Sequence, residues 1–212
     1  RGISRYHSQT KKWDYFSHRI NDKSALSNNH VRALLEDSQG DIWAGTEGGG
    51  LNLFNEETKK WQQFKQNGWQ DHIFNLHEGK AHNLWIGHGR GITSFSTKSH
   101  EFTNYSPVED NDTAPMVRAL SPDNKDNLWI GTHFNKTKEQ EKYTYARGLY
   151  KFNTLSHEWK NFNHDPEQPD SLSNDLIFAI KVDSHQDVWV GTWGGCINLL
   201  KNDGKSFQHY TM

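Results

Sequence analysis

A short tryptophan–glycine motif recurs four times along this chain and constrains its fold more than any other feature. Each copy reads apolar, Trp, variable, Gly and then Thr or His, and the copies occupy residues 42–46, 84–88, 128–132 and 188–192. Periods of about 40–45 residues are typical of proteins built from stacked structural repeats. The chain is therefore predicted to fold as a series of similar units, with extra residues inserted before the last copy.

Each unit contains four short segments with the character of β-strands. An apolar stretch precedes the tryptophan, and a glycine followed by alternating apolar and polar residues comes after it. The unit then closes on two aromatic residues three positions apart, such as Trp61 and Phe64. Alternation with period two predicts strands, and no segment sustains the 3.6-residue period of a helix. Four strands and a Trp motif per repeat indicate an all-β protein, a β-propeller of four-stranded antiparallel blades.

The repeat pattern also predicts the order of the units. Residues 1–16 carry only the second half of a unit, so they are interpreted as half a blade. Complete blades are expected at about 28–64, 70–105, 115–162 and 173–210. Residues 1–212 would then form a partial β-propeller. Because a blade has two faces that must be covered, each one is expected to stack on its neighbours.

Several motif residues have predicted structural roles within the blades. An aspartate before the first turn, at positions 37, 123 and 183, suits an Asx-turn that accepts backbone N–H groups. Gly40 permits positive φ in this turn of the first complete blade, and His82, Asp126 and Gln186 occupy the same position in the other blades. The motif glycines, Gly45, Gly87, Gly131 and Gly191, are expected where a side chain would clash with the neighbouring strand.

Composition excludes several classes of function. The net charge of −2 gives no electrostatic footprint for nucleic acid, and no apolar stretch is long enough to insert this segment into a membrane. A single cysteine, Cys196, excludes an internal disulfide and a thiolate zinc site. The 13 histidines form no metal-binding motif of fixed spacing. No catalytic residue, metal or cofactor is therefore predicted.

The departures from the repeat fall on one side of the predicted blades. Residues 133–147 lengthen the connection between the second and third strands of one blade, and residues 163–175 lengthen the connection to the next. In an up-and-down blade these two kinds of connection emerge on the same face. Insertions confined to one face of a repeat protein often mark a binding surface. This face is therefore the predicted ligand-binding surface.

Candidate ligand-binding residues are the aromatic, histidine and arginine side chains expected on that face. They suit a small molecule or a glycan, because such side chains stack and hydrogen-bond with little loss of entropy. Arg32 and Arg118 begin innermost strands, at positions where Phe74 and Phe178 stand in the other blades. These four are expected to ring the mouth of the channel. The full predicted set is Arg32, Trp69, His88, Arg90, Arg118, His133, Phe134, Arg147 and Trp193.

The repeat also resembles a known family. The pattern N-x-V-x-x-L-x-E-D-x-x-G-x-I-W-x-G-T-x-x-G-G-L, from Asn29 to Leu51, resembles the two-component regulator propeller repeat, and the segment from Asn174 to Ile197 resembles it nearly as well. The second unit departs from the pattern, since Gly79 replaces the aspartate and His88 the threonine. The third is interrupted after Thr132 by the long insertion.

The resemblance implies a periplasmic or extracellular sensor domain of a bacterial membrane signalling protein. Such domains precede a membrane helix and a histidine kinase or cyclic-nucleotide output domain, and their ligands are often glycans. Family propellers usually have seven or more blades, so the expected partners are further blades and a C-terminal signalling module of the same parent protein. A homodimer that completes the ring is the second option. The family motifs are structural and assign no ligand residue by position.

Two other functions remain open at this point. One is a propeller enzyme of the streptogramin-lyase type, which would need a metal near the channel, with Glu47, His88 and His133 as the candidate groups. The other is a protein-interaction scaffold. A sensor is the preferred interpretation, and it predicts that Trp193→Ala and His133→Ala weaken ligand binding without unfolding the chain.

Overall fold

The computed structural model of this chain describes residues 2–108, 114–136, 143–144, 147–194 and 196–210. The described part is all-β apart from one 3₁₀ turn at Trp69–Asp71. It contains four sheets of four antiparallel strands and a two-stranded sheet at the N-terminus, which confirms the predicted fold class. Within this part no helix has the length and apolar character that a membrane span requires.

The strands follow one another in the simple up-and-down order of propeller blades. The N-terminal hairpin is β1 (Ile3–His7) and β2 (Lys12–Phe16). The first complete blade consists of β3 (Val31–Glu36), β4 (Ile42–Thr46), β5 (Gly50–Asn55) and β6 (Lys60–Phe64). The second consists of β7 (Ile73–Glu78), β8 (Asn83–His88), β9 (Gly91–Ser96) and β10 (Phe102–Tyr105).

The third blade carries the longest insertion. It consists of β11 (Met116–Pro122), β12 (Asn127–His133), β15 (Leu149–Asn153) and β16 (Trp159–Phe162). A small hairpin, β13 (Asn135–Lys136) and β14 (Tyr143–Thr144), lies between β12 and β15. The fourth blade consists of β17 (Ile177–Val182), β18 (Val188–Thr192), β19 (Ile197–Leu200) and β20 (Phe207–Tyr210).

The chain divides into two compact units. Unit 1 is Arg1–Gly89 with Thr93–Thr103, and unit 2 is Arg90–Ile92 with Asn104–Met212. In each unit the core lies between consecutive blades. Trp43 of unit 1 is 1% exposed and packs its ring against Phe64 and against Phe95 of the next blade. In unit 2, Trp129 and Leu149 share one core cluster with Ile177, Val190 and other residues of the fourth blade.

The motif aspartates form the predicted turns and also hold the motif tryptophans. Asp37 Oδ1 accepts the backbone N–H groups of Gln39 and Asp41, each at 3.0 Å. Asp37 Oδ2 accepts the Nε1–H of Trp43 at 2.8 Å, a bond that the sequence analysis did not predict. The same indole bond is 3.2 Å long at Asp123 and 2.9 Å at Asp183. One carboxylate therefore fixes both a turn and the orientation of the core tryptophan.

The backbone has positive φ at this turn position in all four complete blades, as predicted for Gly40. The φ angles are 84° at Gly40, 62° at His82, 59° at Asp126 and 65° at Gln186. Only Gly40 adopts this conformation without steric cost, because the other three carry a Cβ. Asparagine, aspartate and histidine tolerate the left-handed region better than most residues, which suits two of these positions.

The prediction for the motif glycines holds at two positions and is wrong at a third. A Cβ on Gly45 would overlap Ile73 Cγ2, and a Cβ on Gly131 would overlap Ile177 Cγ2. In both cases the neighbour is the first strand of the following blade. A Cβ on Gly191 would meet its nearest atom, Ala179 Cβ, at 3.7 Å, which is an ordinary contact. In the described part of the chain, no side chain from another blade packs against Gly191 of β18 in the way that Ile177 packs against Gly131 of β12.

Candidate functional site

A β-bulge occurs at the same position in the first strand of every complete blade. The register with the second strand shifts between Val31 and Ala33 in β3, and at the equivalent places in β7, β11 and β17. The extra residues are Arg32, Phe74, Arg118 and Phe178, the four that the sequence analysis expected at the channel mouth. A bulge leaves one residue outside the ladder and redirects its side chain.

In unit 2 the bulged residues join a group of exposed aromatic side chains. The centroid of the Phe178 ring lies 5.0 Å from that of the His133 ring in an edge-to-face arrangement. It lies 5.5 Å from that of the Trp193 ring in a stacked arrangement. The guanidinium carbon of Arg118 is 5.5 Å from the centre of the Phe178 ring, and His133 contacts Phe134 at 4.3 Å. We call these five residues, Arg118, His133, Phe134, Phe178 and Trp193, the aromatic patch.

The aromatic patch is built from strand ends. His133 is the last residue of β12, and Phe134 follows it. Trp193 begins the turn after β18, where its backbone N–H donates to the Leu176 carbonyl at 2.9 Å. The exposed fractions are 62% for Trp193, 42% for Phe134 and 39% for Phe178. Large apolar rings that pack on one another and still face solvent are typical of an interaction site.

The electrostatics of the aromatic patch keep His133 neutral. Burial lowers the pKa of His133 from its ordinary value, a hydrogen bond to the Phe134 carbonyl opposes this, and the Arg118 cation lowers the pKa further. At pH 7 the ring therefore has one donor nitrogen and one acceptor nitrogen. The patch thus offers a cation, a neutral hydrogen-bonding ring and three apolar ring faces.

The equivalent positions in unit 1 hold an ion pair instead. Arg32 Nε and Nη2 donate to Glu47 Oε2 at 2.9 and 2.6 Å. The hydrogen bond from Arg32 lowers the pKa of the Glu47 carboxyl, although burial opposes the shift. Arg32 occupies the position of Arg118, and Glu47 occupies the position of His133. Arg32 therefore has an internal partner and lacks the aromatic surroundings of Arg118.

Two of the predicted residues are not exposed. The sequence analysis placed His88 and Arg90 on the open face, but they are only 1% and 5% exposed, so this expectation is wrong. His88 Nε2 lies 2.8 Å from Thr93 Oγ1, a buried contact within unit 1. His88 is the last residue of β8, and Arg90 lies in the short turn that leads to β9.

Arg147 and Trp69 are the remaining predicted residues. Arg147 is exposed, and its backbone N–H donates to Thr132 Oγ1 at 2.9 Å. Burial raises the pKa of Tyr150, and Arg147 partly offsets this. Trp69 begins the 3₁₀ turn, but its side chain lies outside the described part of the chain, as does Tyr145 of the insertion.

The groups considered for a metal site have other partners. Glu47 binds Arg32, His88 contacts Thr93, and His133 packs against Phe134 and Phe178. Across residues 2–108, 114–136, 143–144, 147–194 and 196–210, no three His, Cys, Asp or Glu side chains lie together as a metal-binding group.

Comparison with solved structures gives the class of the fold. The chain superposes on the extracellular domain of BT4673, a putative one-component system of B. thetaiotaomicron, with a TM-score of 0.74 and 20% identity, covering 100% of this chain and 25% of that one. The extracellular domain of BT3049, a putative hybrid two-component system of the same organism, superposes with a TM-score of 0.73 and 20% identity, covering 100% of this chain and 26% of that one. Virginiamycin B lyase from Staphylococcus aureus superposes with a TM-score of 0.69 and 17% identity, covering 99% of this chain and 62% of that one. These likenesses define a β-propeller.

Sequence comparison then finds a family that two segments of the chain resemble. The model of the two component regulator propeller matches residues 25–48 and 171–194. Histidine kinase P4 of Formosa agariphila is 25% identical over 189 residues, which is 85% of this chain and 13% of that protein. The chain therefore spans about an eighth of this relative and about a quarter of the two propeller chains from B. thetaiotaomicron.

Proposed function

We propose that this chain is a ligand-sensing propeller segment of a bacterial membrane signalling protein. It binds a small molecule or a glycan at the aromatic patch, on the face that carries the two insertions, and it has no chemistry of its own. The observation that carries this proposal is the set of packed rings of His133, Phe134, Phe178 and Trp193 beside Arg118, of which Phe134, Phe178 and Trp193 are exposed.

The composition of the patch suits a ligand with a flat apolar face and polar edges. Trp193 and Phe178 stack on each other with an angle of 30° between their planes, and they form a continuous ring surface. Stacking on such a surface removes apolar area from water, and rigid rings lose little entropy on binding. Arg118 and neutral His133 add donors and an acceptor at the edge. A sugar ring has this combination of an apolar face and hydroxyl edges.

Location and signalling role are supported by the similar proteins. The two structures from B. thetaiotaomicron are extracellular domains of signalling systems, and the curated relative is a histidine kinase. We place this chain by analogy on the extracytoplasmic side of the inner membrane, in the periplasm. Its proposed partners are further blades and a C-terminal signalling module within one parent protein.

The N-terminal hairpin supports the proposal of further blades. Gly2 and Gly50 have similar positive φ angles, 94° and 80°. Each lies against the carbonyl oxygen of the phenylalanine that ends the next strand, Phe16 for Gly2 and Phe64 for Gly50. The strand β1 therefore corresponds to β5, the third strand of a blade. Tyr6 and Trp13 are 46% and 52% exposed, whereas the equivalent Phe54 and Trp61 are 7% and 4% exposed. Strands that cover the hairpin would bury these rings as they are buried in the complete blades.

This arrangement predicts a change in accessibility in a longer polypeptide. In a version that includes the adjoining parts of the parent protein, Trp13 and Tyr6 should be protected from hydroxyl-radical labelling, as measured by mass spectrometry. Leu155 serves as the control because it is 74% exposed in the turn between β15 and β16, outside both terminal blades, and should be labelled equally in both versions. Equal labelling of Trp13 in the two versions would contradict the proposal of covering blades.

The ligand proposal predicts the effect of removing the stacked rings. Screening of an oligosaccharide panel by calorimetry should yield a saturable ligand, and Trp193→Ala and Phe178→Ala should each weaken its binding about tenfold or more, the loss typical of a buried anchor residue. Tyr15→Ala is the matched control, since Tyr15 is an aromatic residue that is 74% exposed in β2. If both patch variants bind as tightly as the control variant, the patch is not the ligand site.

A further inference from the structure

Unit 2 has a second polar site at the opposite end of β12 from the aromatic patch. A groove with a volume of about 160 Å³ lies where β12 begins, and the turn after β19 closes it on one side. Four lysines line it: Lys125, Lys151, Lys160 and Lys201. Asp123 and Asp203 are the acidic residues of its lining. The groove has room for several water molecules of about 30 Å³ each, and hence for a small hydrated anion.

Two of these lysines oppose each other across the sheet. Lys151 of β15 pairs in register with Lys160 of β16. Like charges placed directly opposite each other destabilise a β-sheet. In the N-terminal hairpin the equivalent pair is Arg5 and Asp14, which form an ion pair at 2.8 Å. The third blade therefore has a repulsive pair where another blade of the same chain has an attractive one.

Both ammonium groups rest on aromatic rings. Lys151 Nζ is 5.5 Å from the centre of the Trp129 ring, and Lys160 Nζ is 4.7 Å from that of Phe162. The two rings are neighbours, with centroids 5.7 Å apart. Ring faces hold a cation without neutralising its charge. In the described part of the chain, neither lysine has a carboxylate within ion-pair distance.

The nearby acidic groups are engaged elsewhere. Asp123 accepts hydrogen bonds from Trp129 and Asn127, and although burial opposes ionisation, these bonds lower the pKa of its carboxyl. Asp203 accepts the backbone N–H of Lys205. Asp187 binds Lys201 at 2.8 Å, and Lys125 Nζ donates to Asn202 Oδ1. An excess of positive charge remains in the groove, centred on Lys151 and Lys160.

We propose that this groove binds a tetrahedral oxyanion, a phosphate or sulfate group, between Lys151 and Lys160. The anion neutralises the repulsive pair and receives charge-assisted hydrogen bonds from both ammonium groups. Lys125, whose ammonium group donates to the neutral side chain of Asn202, adds to the positive potential of the groove, whereas the charge of Lys201 is balanced by Asp187. The site is independent of the proposed ligand site, because the two lysines share the groove with the turns at the other end of the blade, at residues 123–125 and 202–204.

The test is a titration of the chain with inorganic phosphate at constant ionic strength, followed by NMR through the Trp129 indole N–H signal. A saturable shift is expected, and Lys151→Gln with Lys160→Gln should weaken the binding about tenfold or more. Lys12→Gln with Lys98→Gln is the control, since it removes the same charge from exposed positions. A non-saturable shift, or an equal loss in the control variant, would overturn the proposal.

A second variant separates binding from folding. Lys160→Asp reproduces the charge pattern of Arg5 and Asp14, so it should raise the melting temperature in phosphate-free buffer and abolish the further rise that phosphate gives to the unchanged chain. If phosphate stabilises this variant as strongly as the unchanged chain, the two lysines do not form the site. Titrations with inorganic sulfate and with a phosphorylated and a sulfated monosaccharide show whether the group binds free or attached to a sugar.

Discussion

Replacing Trp129 with alanine is expected to lower the free energy of unfolding by about 3–5 kcal/mol, the cost of truncating a buried aromatic residue. Trp129 is 6% exposed and belongs to the core between the third and fourth blades. Its ring packs against Phe162, and its Nε1–H donates to Asp123 at 3.2 Å. The substitution would leave a cavity and remove a hydrogen-bond donor from a half-buried carboxylate.

The matched control for this prediction is Trp193→Ala in the same unit. Trp193 is 62% exposed and contributes to the aromatic patch, so its loss should change the free energy of unfolding by less than about 1 kcal/mol. Urea unfolding followed by circular dichroism gives both values. If Trp193→Ala unfolds the chain as readily as Trp129→Ala does, Trp193 is a core residue and the site on this face is misassigned.

The second large effect is expected from adding one methyl group in the motif, at Gly131. The new Cβ would overlap Ile177 Cγ2 and lie 3.0 Å from Ile177 Cβ and 3.1 Å from Ile180 Cδ1. Ile177 is fully buried, so it has little freedom to move away. Overpacking of this kind costs about 1–3 kcal/mol, and we expect Gly131→Ala to destabilise the chain by that amount in the same unfolding assay.

The fourth blade offers the control for Gly131 at the same motif position. Gly191→Ala places its Cβ 3.7 Å from the nearest atom, so its effect should stay within about 0.5 kcal/mol. Combining Gly131→Ala with Ile177→Ala, which removes the clashing Cγ2, should cost less than the sum of the two single variants. Equal destabilisation by the two glycine variants would show that the cost comes from the strand backbone rather than from blade packing.

The repeat made much of the fold predictable from sequence. Strand chemistry, turn residues and the position of each tryptophan follow local rules, and four copies in register reinforce one another. The failure at Gly191 has a physical reason, because the clash comes from the next blade rather than from the same sheet. The indole bond to Asp37 was missed because it joins residues six apart, which a search for turn residues does not pair.

The candidate site was less predictable than the fold. Arg118, His133, Phe134 and Trp193 were recognised as residues of one face, and the structure brings them together around Phe178. Phe178 was recognised only as part of the channel mouth, although its alignment with Arg32 and Arg118 was the available signal. His88 and Arg90 failed because strand position does not report whether a short turn directs its side chains inward.

The bulge in the first strand of each blade has a consequence for how such a protein changes over time. The extra residue stands outside the register that holds the sheet together, so its identity is not constrained by the partner strand. Here the four positions hold Arg32, Phe74, Arg118 and Phe178 on otherwise similar blades. A single substitution at each bulge would alter the charge and shape of the surface and leave the blade cores unchanged. The scaffold and the surface that carries the proposed ligand site can thus vary independently, one blade at a time.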